Sequence, residues 1–590
     1  MVSNAPPLLQ RPGITTSQLW RHSPADRPPL RIGLLLDSPE LVNFSARIIE
    51  DIQASNFAVI DLLVYKKSPA AAWSNSPDGT LKHILRRFSN ANLRKHLLYD
   101  LYLRLDQRMK PPNHPLDRVD GSQLLMGIES IEVEPLGEKF VHHFPPDVLD
   151  RIRAKNLDVL IRFGFNILQG EILTAARYGV WSYHHGDNDF YRGGPSHFWE
   201  LYERSPLSGV MLQVLTEEID AGLVLCKSLF NTPATNSISV NRFGPYWGAS
   251  DLVIRKLNEL HRFGWEHLRR NALPPSLYRG KRKIYRTPSN LDMARWLAPL
   301  FVKKVVRRAF PQNRIHHWRI GIRLNRTPLF DEAFDGTPDG VRWIESPKGH
   351  FWADPFVIEH HGKNWAFFED YSYATTRGHI ACAEISSDGN FLSPLPCLQN
   401  PARHYSYPYI FREDRDLFMI PETCDSGSID LYRCTEFPQT WVYDSTLLRG
   451  KFVDTSIWKD GGLWWLMTTS ADPNLQAAIL LLFSSEHLRG PWQFHPANPI
   501  STDVRNNRGA GRIFRSGQRW IRPSQSCSPS YGYSFTLNEV TKLSTTEYSE
   551  RPIREIRPEL LKGIRTTHTY NWIPGIELID GTKVMPLSKL

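Results

Sequence analysis

Apolar residues near the start of the chain cluster in short runs. Residues 31–37 (RIGLLLD) and 59–64 are two such runs, and residues 41–54 between them carry apolar side chains at helical spacing. Continuous apolar runs of this length are typical of buried strands, here joined by a crossing helix. The alternation resumes with a helix over 146–155 and a strand over 158–163. The first half of the chain therefore predicts a doubly wound, Rossmann-like α/β domain.

The pattern changes beyond residue 325 to short aromatic strands separated by turns. A unit made of a polar or acidic residue, an aromatic strand, a tight turn and a second strand recurs roughly every 50 residues. Its copies begin at Ala353, Tyr407 and Val453, with weaker copies at Ala510 and Thr569. Such spacing suits four-stranded blades, whereas a β-sandwich does not normally show so regular a repeat. Five copies predict an all-β, five-bladed β-propeller.

These patterns divide the chain into four segments. They are a disordered leader (1–29), an α/β domain (30–282), a basic amphipathic linker (283–325) and the propeller (326–590). Within the linker, residues 291–310 combine an apolar stripe with lysines and arginines. That combination favours a helix that docks on a neighbouring domain, and a helix lying on a membrane surface is the alternative.

Composition narrows the class of protein only slightly. The net charge of +10 favours anionic partners, although a solvated surface explains so small an excess over 590 residues. The six cysteines show neither paired spacing nor metal-ligand spacing, so no metal site is predicted and a cytoplasmic location fits best. The terminal Ser588-Lys589-Leu590 matches a peroxisomal address, for which chance is the simpler explanation.

The most informative motif lies in residues 179–225, which contain YHHGDNDFYRGG, then SGV, then DAG. This run resembles the signature of the folate-dependent formyltransferases, and the spacing between its anchors is kept. The matching positions are His184, Arg192-Gly193, Gly209-Val210 and Asp220-Ala221-Gly222. The resemblance covers roughly residues 31–230 and implies a one-carbon transferase.

The resemblance also implies roles for these residues. Formyl transfer from 10-formyltetrahydrofolate to an amine passes through an oxyanion, which His184 would stabilise, while Asp220 would relay protons. Ser182 stands where the family has an asparagine, so one oxyanion donor is weakened. Arg192 and Gly193 would support the substrate loop. The folate would lie against the strand and loop of the RFGFNIL segment, at Phe163, Gly164, Phe165, Ile167 and Leu168.

Other departures from the family pattern leave the activity open. The loop after His184 is polar and acidic, with His185, Gly186 and residues 187–189 replacing apolar family residues. One interpretation is a working enzyme that formylates an amino sugar or a nucleotide-linked sugar. The alternative is a retired site that serves as a scaffold, and formylation of initiator tRNA ranks last. A working site requires an open pocket joining His184, Asp220 and Phe165, whereas Trp181 or Tyr183 should fill a retired one.

The repeat region resembles the five-bladed propellers of glycoside hydrolase families 43 and 32. It resembles more closely the N-terminal domain of plant glucosamine inositolphosphorylceramide transferases. In the hydrolases, acids from successive innermost strands meet at a central funnel. The corresponding residues here are Asp354, Glu369, Glu422, Asp454 and His568.

These funnel residues have two interpretations. They could bind or trim a glycan, with Trp352, Trp458 and Tyr407 as stacking faces. They could instead cap turns and pair with Arg512 or Arg522. The acceptor, the identity of the glycan and the oligomeric state stay open, and nucleic acid is not an expected partner.

Overall fold

The computed structural model describes residues 19–67, 95–137, 141–218, 221–274, 277–309, 314–423, 426–471 and 478–586. The chain divides into two compact units, residues 1–306 and 307–590. Among the described residues, no helix is both long enough and apolar enough to cross a membrane.

The first unit is built on a seven-stranded sheet. Its strands, with two short ladders, are β1 (Leu30–Leu36), β2 (Glu40–Val42), β3 (Ala58–Lys66), β4 (Arg118–Asp120), β5 (Ser130–Val133), β6 (Val141–His142), β7 (Val159–Arg162), β8 (Ile167–Leu168), β9 (Val180–His184), β10 (Leu207–Val214) and β11 (Leu223–Asn231). The sheet order is β11-β10-β9-β7-β1-β3-β5, and all pairs from β9 to β5 are parallel. The predicted doubly wound α/β domain is confirmed.

The described helices of this unit bury apolar faces against the sheet or against one another. They are α1 (Asn43–Gln53), α2 (Leu97–Asp106), α3 (Pro146–Ala154), α4 (Trp199–Glu203), α5 (Ile238–Gly248), α6 (Leu252–Phe263), α7 (Trp265–Arg270) and α8 (Asn290–Ala309). Helix α1 buries Phe44, Ile48, Ile49 and Ile52, which recur at helical spacing. That face fixes the crossing between β1 and β3.

Two predicted segment boundaries are wrong. The leader is not disordered throughout, since Trp20 is buried and its carbonyl accepts a hydrogen bond from Asn258 (3.0 Å); residues 1–18 lie outside the described part. Residues 283–325 do not form a separate linker, because helix α8 up to residue 306 belongs to the first unit and strand β12 to the second. Met293 and Trp296 of α8 are buried among aromatic residues of the α/β unit. That part of the stripe is therefore not free to lie on a membrane.

The second unit consists of four four-stranded sheets and one five-stranded sheet. Its strands are β12 (Arg314–Leu324), β13 (Arg342–Ile344), β14 (His350–His360), β15 (Lys363–Ser372), β16 (Arg377–Ile385), β17 (Phe391–Leu398), β18 (Ser406–Glu413), β19 (Asp416–Glu422), β20 (Ser428–Glu436), β21 (Thr440–Arg449), β22 (Phe452–Asp460), β23 (Leu463–Ala471), β24 (Ala478–Ser485), β25 (Gln493–Phe494), β26 (Arg508–Gly509), β27 (Phe514–Ser516), β28 (Arg519–Ser526), β29 (Ser534–Leu543), β30 (Tyr548–Ile556), β31 (Tyr570–Ile573) and β32 (Ile576–Pro586). In one blade the first-strand position is shared by β26 and β27, which both pair with β28.

The five-bladed propeller is confirmed, and each predicted copy is the first hairpin of one blade. The last blade, β13-β12-β32-β31, joins strands from both ends of the unit and so closes the ring. First strands of neighbouring blades contact one another: β14 contacts β18 and β31, and β22 contacts β18 and β26. These strands surround the central channel, into which residues from several blades converge.

Candidate functional site

The end of strand β9 carries the two residues that the formyltransferase resemblance singled out. His184 is buried, and its Nε2 donates to the backbone oxygen of Tyr191 (2.8 Å). The hydroxyl of Ser182 accepts a hydrogen bond from Nε of Arg162 (2.9 Å). Asp220 lies outside the described residues, so its predicted position beside His184 stays a prediction. The imidazole at this site is thus held by its own loop.

Arg162 is a site residue that the sequence analysis did not single out. Its Nη1 also donates to the backbone oxygen of Asn166 (2.8 Å), so the guanidinium ties Ser182 to the loop after β7. A cation therefore stands next to the position where the family has an amide. Its place in the strand motif RFGFN was visible in the sequence, but not the direction of its side chain.

The predicted folate segment is fixed by hydrogen bonds from its backbone amides to the end of strand β1. The amides of Phe163 and Gly164 both donate to the Leu35 carbonyl (3.0 and 2.9 Å). Phe165 adopts a positive φ of 63°, and its amide donates to Oδ1 of Asp37 (2.8 Å). Of the five predicted residues, Phe165, Leu168 and Gly164 are buried, whereas Phe163 and Ile167 are half-buried.

Three of the polar residues that replace the apolar family loop, His185, Asp187 and Asp189, have structural partners. His185 stacks on Tyr246 with ring centroids 3.7 Å apart, and burial lowers its pKa well below the usual value. Asp187 and Asp189 both bind the ammonium group of Lys227 (2.8 and 3.0 Å). The acidic loop is therefore tied to the sheet and is not a free catalytic group.

Trp181 and Tyr183 do not fill the site, as one of them should in a retired site. Along β9 these residues alternate with Ser182 and His184, so they lie on the opposite face of the sheet. Trp181 donates to the Tyr178 carbonyl (3.1 Å), and Tyr183 donates to the Ala249 carbonyl (2.9 Å). What covers His184 is the loop carbonyl of Tyr191.

Arg192 and Gly193 support the loop, as the resemblance implied. Nε of Arg192 donates to the Asn188 carbonyl (3.1 Å), and the guanidinium lies over the ring of Tyr278 (4.9 Å). Gly193 has φ of 90°, and a Cβ there would lie 2.3 Å from the Tyr285 oxygen. Only glycine allows this close approach.

In the propeller, three first strands share a backbone distortion at their beginning. Asp354, Tyr407 and Asp454 have φ values of 49°, 43° and 53°, and each lies where the strand pairing shifts register. Such bulges re-aim side chains. Asp354 and Asp454 join Glu369, Glu422, His568 and Asp580 in one electrostatically coupled cluster. We call these six residues the acid mouth.

Asp354 lies in a network with the last blade. Its Oδ1 accepts from the hydroxyl of Thr569 (2.9 Å) and lies 3.7 Å from Nε2 of His568. Nδ1 of His568 contacts Asp580 at 2.7 Å. Burial, opposed by His568 and reinforced by Asp580 and Asp454, raises the pKa of Asp354 to about 6. Burial opposes the charge of His568, yet the surrounding carboxylates raise its pKa.

The third blade contributes a carboxylate that is ion-paired. Oδ2 of Asp454 lies 2.5 Å from Nε of Arg508, and the Asp454 side chain is 5% exposed. The backbone amide of Asp454 donates to Glu422 (3.3 Å). Burial and the charge of Asp454 raise the pKa of Glu422 to about 8. The mouth thus places a carboxylic acid next to a salt-bridged carboxylate.

Glu369 is a further buried acid of the mouth. It is 6% exposed, and Oε1 lies 3.5 Å from Nε2 of His404. Burial and the nearby Asp354 and Glu422 raise its pKa well above the usual value. A Cβ at Gly378 would lie 2.5 Å from Oε1, so the neighbouring strand needs glycine there.

All five predicted funnel residues therefore meet, and two more join them. Asp580 was missed although it lies on the second strand of the last copy, as Glu369 and Glu422 do in theirs. Arg508 was missed because it precedes a weak copy. The predicted arginine partners are wrong: Arg522 pairs with Glu550 (2.5 Å), and Arg512 donates to a backbone carbonyl.

The stacking role predicted for the aromatic residues is not found at this mouth. Trp352 is buried in the core of the first blade, and the hydroxyl of Tyr407 donates to the Gly511 carbonyl (3.1 Å). Trp458 lines a separate cleft. Tyr531 is 53% exposed and lies beside His568 (5.6 Å between ring centroids), so it offers the aromatic face.

The acid mouth also contains a geometry that the sequence analysis did not predict. Ligand atoms of Asp354, His568 and Asp580 all lie within 4.8 Å of one another, close enough to hold a metal ion. The hydrogen bond between His568 and Asp580 explains their proximity without one. The chemistry supported directly is binding of a cationic or polyhydroxyl group by acids of differing protonation.

Comparisons with known proteins agree with the propeller assignment. The family described as glucosamine inositolphosphorylceramide transferase 1, N-terminal, matches residues 344–571. The curated transferase 1 from Oryza sativa subsp. indica is 32% identical over 239 residues, which are 39% of this chain and 32% of that protein. The Arabidopsis thaliana protein is 31% identical over 34% of this chain and 27% of its own length. The chain thus spans about a third of these relatives, and the predicted resemblance is confirmed.

Solved structures are similar to each half of the chain at low TM-scores. Glycinamide ribonucleotide transformylase 1 from Symbiobacterium toebii is 12% identical, with a TM-score of 0.27, over 39% of this chain and 88% of its own. The family 43 glycoside hydrolase BlXynB from Bacillus licheniformis is 13% identical, with a TM-score of 0.28, over 35% and 44% of the two chains.

Proposed function

We propose that this protein recognises an amino sugar at the acid mouth of its propeller, with the α/β unit as a formyltransferase-like scaffold. The observation that carries the proposal is the convergence of five carboxyl groups on one end of the channel. Asp354, Glu369, Glu422, Asp454 and Asp580 meet there, against Arg508, His568 and His404 as basic groups. Such an excess of acids favours a cationic ligand.

The curated relatives support a sugar that carries an amine. Their name includes glucosamine, and the matching family covers the propeller. An ammonium group on a pyranose ring would form ion pairs with carboxyl groups that are otherwise partly protonated. The hydroxyl groups of the sugar would form hydrogen bonds with Thr569 and Tyr531. Transfer of the sugar to a lipid acceptor is an extension of this proposal, since the chain matches only a third of each relative.

Proton release accompanies this mode of binding. The pKa of Glu422 is about 8 in the free protein, so this carboxyl is mostly protonated at pH 7. An ammonium group nearby favours the charged carboxylate and lowers the pKa. Binding of glucosamine at pH 7 should therefore release a proton, and affinity should rise between pH 6 and 7.

The test is calorimetric titration of the full chain with glucosamine, N-acetylglucosamine and glucose, in two buffers of different ionisation enthalpy. Glucosamine should bind at least about tenfold more tightly than the two neutral sugars, since charge-assisted contacts are worth more than neutral ones. Its heat should depend on the buffer. Glu422→Gln and Asp354→Asn should lose this preference, and Glu547→Gln, which changes an exposed acid, should keep it. Equal affinity for all three sugars would contradict the proposal.

Formyl transfer is a second candidate, favoured by the cation of Arg162 beside Ser182. His184 carries a proton on Nε2 at this site, because its partner there is a carbonyl, and Arg162 would compensate for the missing amide. The donor implied by the resemblance, 10-formyltetrahydrofolate, would lie against the half-buried Phe163 and Ile167 and supply the formyl group to an amino sugar. Titration with 5-formyltetrahydrofolate tests this candidate, and absence of binding would remove it.

A further inference from the structure

The propeller unit has a second cleft, lined by later residues of the first strands β14, β18 and β22 together with residues of the third and fourth blades. Its volume is about 310 Å³, and Tyr409, Trp458, Trp464, Arg512 and Trp520 are among the residues that line it. Trp458 lies four residues beyond Asp454 on strand β22, which corresponds to ~13 Å along an extended strand. The cleft is thus separate from the acid mouth. We call its residues Tyr409, Trp458, Trp464, Arg512 and Trp520 the tryptophan mouth.

Arg512 is the charged group of the tryptophan mouth for which the described residues supply no counter-ion. Nη2 donates to the Ile410 carbonyl (2.6 Å), and the buried Nε has no acceptor among the residues that the structure describes. Within the described part of the chain, the structure records no carboxylate paired with this guanidinium, and burial lowers the pKa of Arg512. A half-buried charge without a partner is unfavourable. An anion in the cleft would relieve this cost.

The other charges of the cleft do not neutralise Arg512. Lys459 pairs with Glu413 (3.0 Å) and lies over the ring of Trp464 (5.3 Å). The lysine and the glutamate therefore satisfy each other. Arg412, also in the lining, contacts the ring of His360 (2.7 Å), which supplies no negative charge. The net charge of the cleft is positive.

The aromatic lining indicates the kind of molecule that carries the anion. Trp458, Trp464 and Trp520 converge from the third and fourth blades, and the buried indole Nε1 of Trp458 has no acceptor among the described residues. Indole rings combine a flat apolar surface with one hydrogen-bond donor, which suits the apolar face and the oxygen atoms of a pyranose. A cleft of about 310 Å³ has room for one sugar unit.

We propose that the tryptophan mouth binds a sugar unit bearing a carboxylate or a phosphate, with Arg512 as its charge partner and Trp520 as a stacking surface. The site does not depend on amino-sugar recognition, because the acids of the other mouth do not line it. A propeller with both sites would contact a glycan that carries charges of opposite sign on different units.

The experiment measures tryptophan fluorescence and titration heat of the full chain with glucuronate, glucose 6-phosphate and glucose. One or both of the charged sugars should bind at least about tenfold more tightly than glucose, because a charge-assisted hydrogen bond contributes more to the free energy of binding than a neutral one. The carboxylate and phosphate arms identify the preferred anion. Arg512→Gln should abolish the preference, whereas Arg415→Gln removes an exposed positive charge outside the cleft and should leave it unchanged.

Two further variants keep the proposal falsifiable if Arg512→Gln unfolds. Arg512→Lys retains the charge and should retain part of the preference, and Trp520→Ala should weaken all charged-sugar binding. Glu422→Gln should leave charged-sugar binding unchanged, so failure at the acid mouth is distinguishable from failure here. Equal binding of charged and neutral sugars, or an unchanged preference in Arg512→Gln, would overturn the proposal.

Discussion

Nε of Arg508 lies 2.5 Å from Oδ2 of Asp454, and this ion pair joins the fourth blade of the propeller to the third. Both side chains are largely buried, so removing one partner leaves an unpaired charge in a poorly solvated place. Arg508→Gln should therefore lower the free energy of unfolding by about 3–5 kcal/mol. Thermal unfolding followed by near-ultraviolet circular dichroism measures this loss.

A double variant separates the pair from its surroundings. Arg508→Gln combined with Asp454→Asn removes both charges, and it should be less destabilised than the sum of the two single variants. Additive losses would mean that the two side chains do not interact across the blades. Arg551→Gln, which breaks an exposed pair with Glu539, should cost less than about 1 kcal/mol.

The raised pKa of Glu422 makes a prediction about stability and pH. The folded protein keeps a proton up to about pH 8 that the unfolded chain releases near its ordinary value of 4.5. Stability from this group is therefore present at low pH and lost as pH rises from about 4.5 to 8. The Glu422→Gln variant has an uncharged side chain at every pH, so this position no longer lowers the stability of the variant as the pH rises.

This difference is measurable as a change in Tm. At pH 5 the variant and the parent should unfold at similar temperatures. At pH 8.5 the variant should unfold at least about 2–4 °C higher, which is the effect of 1 kcal/mol in a domain of this size. Glu547→Gln, at an exposed position, should follow the parent at both pH values. A variant that is less stable than the parent at pH 8.5 would show that the ionised Glu422 carboxylate stabilises the fold, so that its pKa is not raised.

The propeller was predictable because its signal repeats. Five hairpins with alternating aromatic residues mark five first strands, and the acids Asp354 and Asp454 open two of them. Asp580 lies on a second strand as Glu422 does, so the repeat contained its position as well. The partner of Asp454 was not predictable, because Arg508 reaches it from another blade, and blade contacts have no fixed spacing in sequence.

The strands of the α/β site were predictable from the sequence, but the contacts between its side chains were not. The motif places Ser182 and His184 at the end of β9, where the structure has them. The direction of the Arg162 side chain depends on the loop after β7, and the pairing of Asp187 with Lys227 depends on the neighbouring strand. Both contacts arise from tertiary packing, which one motif does not specify.

The stacked histidine of the α/β unit should make the protein sensitive to acid. Burial holds the pKa of His185 well below its usual value of 6.5, so the unfolded chain binds a proton that the folded protein does not. Stability is present above about pH 6.5 and lost as the pH falls. His185→Phe keeps an aromatic ring between Tyr183 and Tyr246 and cannot be protonated.

We therefore expect His185→Phe to be within about 1 kcal/mol of the parent at pH 7.5, as for other shape-conserving core substitutions. At pH 5 it should be more stable than the parent. Urea unfolding at the two pH values measures this crossover. His267→Phe, at a more exposed histidine, serves as the control and should not change the pH dependence. A loss of stability at pH 5 in His185→Phe would show that the imidazole has a polar partner that the ring stack does not reveal.

The contact between Tyr407 and Gly511 at the centre of the propeller gives the last prediction. The Gly511 amide donates to the Tyr407 hydroxyl (2.7 Å), and that hydroxyl donates to the Gly511 carbonyl. Gly511 has φ of 125°, and a Cβ there would lie 2.1 Å from the Tyr570 oxygen. Gly511→Ala must therefore move the backbone of a neighbouring blade, in addition to the strain of a positive φ.

Gly517→Ala is the matched control, since Gly517 has φ of 61° but nothing within 4 Å of its added Cβ. The control should cost about 1 kcal/mol and Gly511→Ala several times more. Equal losses in thermal unfolding would mean that the two blades do not meet at this carbonyl.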